Sequence, residues 1–166
     1  MKLYVESLLP VDPATAWQIF ESPEFEQRLE AQTNLKCEVL EARQDGPDKT
    51  FRRLRYTSGT ELPKMVGKAL GAKHLTYEQH NHFDRSTGTM KWTVLLPVLG
   101  DRVSVGGTTT IVTHPDGCQR TVDGDISVKM RLIGGQVEKA VVSEFEKSMG
   151  RAVDIVRDII RERQLA

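Results

Sequence analysis

A surplus of charge of either sign is missing from this sequence, in which 23 Lys and Arg stand against 23 Asp and Glu. Phosphate and anionic-lipid affinity comes mainly from clustered cations, so this balance removes the electrostatic warrant for a nucleic-acid partner or an anionic membrane surface. Cysteine is nearly absent as well. Cys37 and Cys118 are too few for a secreted disulfide scaffold and fit a reducing compartment. No uncharged apolar run approaches the roughly 20 residues needed to span a bilayer. Ala14-Thr15-Ala16 matches the small-x-small pattern of a signal-peptidase site, but Glu6 and Pro10 interrupt the apolar stretch before it, leaving no signal core. The expectation is a soluble, cytoplasmic protein with no stable membrane insertion and no nucleic-acid partner.

Catalytic fingerprints are also lacking. The segment from Gly67 to Lys73 has glycines but not the Gly-Lys-Ser/Thr ending of a phosphate-binding loop, and there is no Gly-x-Ser-x-Gly elbow or Cys/His nucleophile arrangement. Gly134-Gly135-Gln136 matches the tripeptide of peptide-release factors, but turn chemistry in a small neutral chain explains it better. No catalytic residue and no cofactor is assigned.

What is present is a 166-residue chain, 39% apolar, that reads as one domain over 1–166 and is long enough to bury about two-thirds of its unfolded surface. Leu3, Val5 and Leu9 alternate with polar neighbours in a first strand ending at Pro10. Asp12-Pro13 and Ser22-Pro23 each read as a cap followed by proline at the first helical position, which predicts two short helices. Leu35, Cys37 and Val39 lead towards Asp45-Gly46-Pro47-Asp48 and Thr50 to Tyr56 leads away, a hairpin pattern. Pro63 to Gly71 reads as a helical insert, and four more strands follow between Lys73 and Arg131. The last has Val122, Ile126, Val128, Met130 and Leu132 on its buried side. After Gly134-Gly135 the pattern is one amphipathic helix of about 28 residues, near 40 Å.

This order resembles the helix-grip fold of the START-like superfamily, which includes birch-pollen-allergen-like proteins and polyketide cyclase relatives. Within it the chain is most similar to a small uncharacterised bacterial family. Leu62-Pro63, Gly67 and Leu70-Gly71, then Trp92 with Pro97 and Gly100, then Leu132 to Glu138 carry that closer likeness. The resemblance implies an α+β fold, a curved antiparallel sheet of six to seven strands around a long C-terminal helix, with two short helices after the first strand. It also implies a cavity between sheet and helix that takes a lipid or other hydrophobic small molecule, and it brings no established active site.

Inward-phase residues are then candidate ligand contacts. Tyr77, Gln79, Asn81 and Trp92 can fix a polar end, while Met65, Val66, Leu70, Val94, Val122, Ile126 and Met130 line an apolar body beside Val141 and Phe145 of the long helix. Buried amides need partners, so Gln79 and Asn81 either meet a ligand or turn to solvent at a bulge. Gly107, Thr109 and Gly124 leave volume. Arg53 and Arg55 alternate with Leu54 and Tyr56, and the apolar pair is the better inward choice. His80 and His82 keep polar company with His74 and Glu78, which reads as a solvent face, and no metal site is assigned. Glu138 suits the positive end of the long helix. The Met65 to Leu70 insert reads as a lid at the cavity mouth or as a fixed wall of the core.

Three functional readings follow. Noncatalytic carriage or sensing of a hydrophobic molecule is favoured over a cyclase or dehydrase using Tyr77, Asp125 or a cavity histidine. A protein-interaction module with a filled core is the third.

Overall fold

The computed structural model describes residues 1–166. In chain order they form β1 (Lys2–Leu9), α1 (Pro13–Phe20), α2 (Pro23–Thr33), β2 (Leu35–Gln44), β3 (Lys49–Glu61), α3 (Lys64–Leu70), β4 (His74–Asp84), β5 (Thr89–Leu95), β6 (Val103–His114), β7 (Gly117–Val128) and α4 (Gly134–Glu162). The strands make one sheet in the order β1-β7-β6-β5-β4-β3-β2, with every neighbouring pair antiparallel. β1 and β2 are consecutive in the chain yet lie at opposite edges. The connection between them must therefore cross the open side of the sheet, and α1 and α2 make that crossing. α1 packs on β6, β7 and α4, and α2 packs on α4 and β2. The fold is the α+β helix-grip arrangement.

Local chemistry accounts for the crossing. Asp12 and Ser22 accept the backbone N–H of Thr15 (3.0 Å) and Phe25 (3.2 Å), and Pro13 and Pro23 follow as first helical residues. Each cap satisfies an otherwise orphaned donor, and each proline has no N–H to lose. Asn34 then turns left-handed at φ 55° and ends α2.

The apolar interior falls into two clusters. One joins the middle of the sheet to α3 and to Val137, Val141 and Phe145 of α4. The other joins α1 and α2 to Ala152, Ile155, Val156 and Ile159 further along the same helix. The 29 residues of α4 span about 44 Å at 1.5 Å per residue, enough to serve both clusters. Between them its inner side carries Ser148 and Met149 rather than large branched residues.

Several sequence expectations change in three dimensions. β7 stops at Val128, so Met130 and Leu132 are not strand residues. Leu132 turns left-handed at φ 73° and is 96% exposed, because the chain must reverse there to enter α4. Glu138 lies beyond the first turn of α4, and its carboxylate accepts the Val128 N–H at 2.8 Å. It closes the end of β7 instead of capping the helix. Gly107 and Gly124, read as empty volume, sit opposite each other and Gly107 opposite Trp92. Trp92 fills the space. A Cβ at Gly124 would lie 2.6 Å from Trp92 Cη2, and one at Gly107 would lie 2.7 Å from its Cζ2.

Candidate ligand cavity

One space that is not filled lies at the seam between the two apolar clusters. α1 and α2 cover it through Phe20, Phe25 and Leu29. The sheet side is made by Leu54 and Tyr56 of β3 and by Tyr77, Gln79, Asn81 and Phe83 of β4. Phe145, Ser148, Met149 and Ala152 form the α4 side, and Met90, Thr109 and Arg120 close the far wall. The position follows from α4: where its inner side carries Ser148 and the unbranched Met149, only partly buried side chains such as Met90 lie against both clusters.

The cavity volume is about 160 Å³. An engineered apolar cavity of about 150 Å³ admits benzene, whereas drug-sized ligands occupy roughly 300–1,000 Å³. The space as it stands fits one ring or a short chain. Glu21, Thr50 and Arg52 also face an outer groove that includes Arg43 and Arg85, which makes this flank the rim.

Polar groups inside follow a simple pattern. Gln79 and Asn81 face inward, and the Gln79 Nε2–H donates to Asn81 Oδ1 at 2.8 Å. The mutual bond answers the cost of turning amides inward and leaves one amide oxygen and one NH2 group free. Arg52 of β3 donates to Glu26 of α2, a half-buried pair that ties the cover to the sheet. Glu21 lies 4.0 Å from Arg85, and burial raises its carboxyl above the ordinary range despite that cation. Burial also holds the hydroxyls of Tyr56 and Tyr77 protonated well above the usual phenol range. The two rings stack with centroids 5.2 Å apart.

Arg120 differs from the rest. It is only 8% exposed, its Nη1 is enclosed without a hydrogen-bond partner, and no carboxylate approaches within the 4.0 Å reached by the other ion pairs. Its guanidinium lies over the Phe20 ring, 4.9 Å from the centroid. Burial brings its pKa down to about 10.

Of the residues expected at a ligand site, Tyr77, Gln79, Asn81 and Phe145 line this cavity. Trp92, Val94, Val122, Ile126 and Val141 are instead packed in the apolar cluster beside it, with Val66 and Leu70 of α3 in the same cluster and Met130 partly buried against it. Met65 is 56% exposed, because adjacent residues on a helix point about 100° apart and Val66 takes the inward position. α3 is thus a wall of that cluster and borders none of the cavity. Thr109 lines the cavity as its phase implied. Arg53 and Arg55 face outward beside Glu78. His80 and His82 lie on the same outer face against Phe51, and no group of three or more His, Cys, Asp or Glu is placed to hold a metal ion. Asp125 is likewise outside, 3.1 Å from Lys2.

Arg52 and Arg120 went unassigned from sequence, although the signal was present. Arg120 has the parity of Cys118 and Val122, and Arg52 that of Leu54 and Tyr56, so both share a buried phase.

Residues 5–160 match the model of a family described as "Protein of unknown function (DUF2505)". No curated protein matches the sequence. Among solved structures, TTHA0849 from Thermus thermophilus is similar at TM-score 0.69 and 13% identity, covering 98% of this chain and 99% of its own. Ara h 8.0201 is similar at TM-score 0.62 and 16% identity over 98% of each chain. Norcoclaurine synthase from Thalictrum flavum is similar at TM-score 0.61 and 16% identity, over 98% of this chain and 87% of its own. At these identities the likeness is one of fold alone. No helix is long and apolar enough to cross a membrane.

Proposed function

We propose, from the premise that this chain belongs to the DUF2505 family, that it is a noncatalytic carrier or sensor of a small hydrophobic molecule held between α4, the α1–α2 cover and the sheet. The carrying observation is the cavity of about 160 Å³, walled mainly by aromatic and aliphatic side chains at the break between two packed clusters. Packed interiors contain few voids larger than a water molecule, because each one forfeits dispersion contacts. A void of this size with convergent polar groups at one side has the form of a ligand site. Tyr77 is the sole candidate proton-transfer group from the sequence that lines it. Burial keeps that phenol neutral, a state suited to hydrogen bonding.

The test is native mass spectrometry of protein purified from its host, followed by denaturation and identification of released molecules. A bound small molecule is expected on the natural chain. In Ser148→Phe, which projects a ring into the cavity from α4, that adduct should fall at least tenfold while circular dichroism stays that of a folded protein. A natural chain that carries no adduct, and that also fails to take up toluene saturably, would refute the reading.

A further inference from the structure

Two arginines have the inward phase at this site, and the fold treats them differently. Arg52 is paired with Glu26 at the rim. Arg120 is deeper, lies between Cys118 and Val122, both fully buried along β7, and is opposite Ile111 of β6 and Ser7 of β1. An apolar side chain would satisfy that position. The guanidinium found there has the Phe20 ring beneath it, no acid beside it and an enclosed Nη1 without a partner. A buried charge is costly unless paired, and this one faces the cavity proposed as the ligand site.

We propose that the cavity's ligand is a monocarboxylate, its headgroup paired with Arg120 and its hydrocarbon or aryl body lying among Phe20, Phe83, Tyr77 and Phe145. The inference rests on the ligand reading above and specifies its chemistry. A carboxylate is planar, matches the guanidinium fork with two parallel hydrogen bonds, and brings the single negative charge that one arginine neutralises. A dianionic phosphate would leave a net charge buried and fill more of the 160 Å³. Neither cavity acid substitutes for the ligand: Glu26 is committed to Arg52, and Glu21 stands beside Arg85. Trp17 Nε1 is a second buried donor without a partner, but it faces the Gly88 turn at 3.9 Å from that residue's Cβ position and is not counted in the headgroup site.

Calorimetric titration with matched pairs tests this: hexanoate against hexan-1-ol, and 3-phenylpropionate against 3-phenylpropan-1-ol, at pH 7.5. A charge-assisted pair away from bulk water corresponds to about tenfold to a hundredfold in affinity. The natural chain should therefore bind each acid at least tenfold more tightly than its alcohol. In Arg120→Met the ratio should fall below twofold, and Arg120→Lys should give an intermediate ratio. Equal binding of acids and alcohols by the natural chain overturns the carboxylate inference and leaves the cavity reading standing. Binding of neither class refutes both. If Arg120→Met does not fold, the acid-to-alcohol ratio of the natural chain and the Arg120→Lys result decide.

Discussion

Arg120→Met should make the ligand-free protein more stable. A pKa unit corresponds to 1.36 kcal/mol between protonation states. A guanidinium held at about 10 by burial, against an ordinary value above 12, therefore carries a penalty on the order of 3 kcal/mol in the folded state. Methionine removes the charge, keeps most of the length and packs beside Cys118 and Val122. The loss is the contact with the Phe20 ring, worth about 1–2 kcal/mol where the cation is desolvated. The net gain is about 1–2 kcal/mol, or roughly 2–8 °C in Tm for a chain of this size.

Urea unfolding followed by circular dichroism measures it, with an unchanged m-value marking a stability change alone. The pH dependence has a definite sign. The folded pKa of Arg120 is depressed, so the penalty is fully present below pH 10 and is relieved as pH rises from there towards the unfolded value. The advantage of Arg120→Met must therefore shrink above pH 10. Tyr56, Tyr77 and Cys118, whose pKa values burial raises, destabilise the fold as pH climbs, but they do so in both proteins and cancel in the difference. A loss of about 1 kcal/mol or more on Arg120→Met at neutral pH would refute this reasoning, because it would mean the guanidinium is satisfied within the protein.

Gly124→Ala should destabilise the fold by about 1–3 kcal/mol, the usual cost of overpacking, since its Cβ would stand 2.6 Å from the Trp92 ring. Trp92→Phe in the same chain should recover part of that loss in a double-mutant cycle read by urea unfolding. Cys118, fully buried with its thiol pushed up to about 11, should react with an aromatic disulfide reagent at pH 8 no faster than the protein opens. Comparison of mass-resolved labelling with amide exchange checks this, and rapid native-state labelling of Cys118 would contradict its placement. Glu138→Ala, which strands the Val128 N–H, should cost about 1–3 kcal/mol by thermal unfolding.

The helix starts were legible because they depend on neighbours in the chain: Asp12-Pro13 and Ser22-Pro23 each combine an acceptor with a preset φ. The strand faces were legible because a period of two assigns each residue a side. A period of two does not choose which residues of adjacent strands become neighbours. A shift of two residues between β5 and β6 preserves every face yet moves Trp92 away from Gly107, so the filled space above the two glycines could not be anticipated. The end of β7 was missed for a related reason. Met130 and Leu132 continue the alternation, but β7 stops at Val128, where Glu138 of α4 accepts the backbone N–H that closes it.

The sequence by itself determined the order of elements, the amphipathic α4 and the shared strand face of Tyr77, Gln79 and Asn81, all products of local spacing and side-chain polarity. Only the tertiary structure decided where the interior stays open, because that depends on which parts of the sheet face Ser148 and Met149 of α4. It alone also decided that Arg52 has an acid partner from α2 while Arg120 has none. Parity sends a side chain inward, but whether its charge is paired there depends on residues that only folding brings within reach.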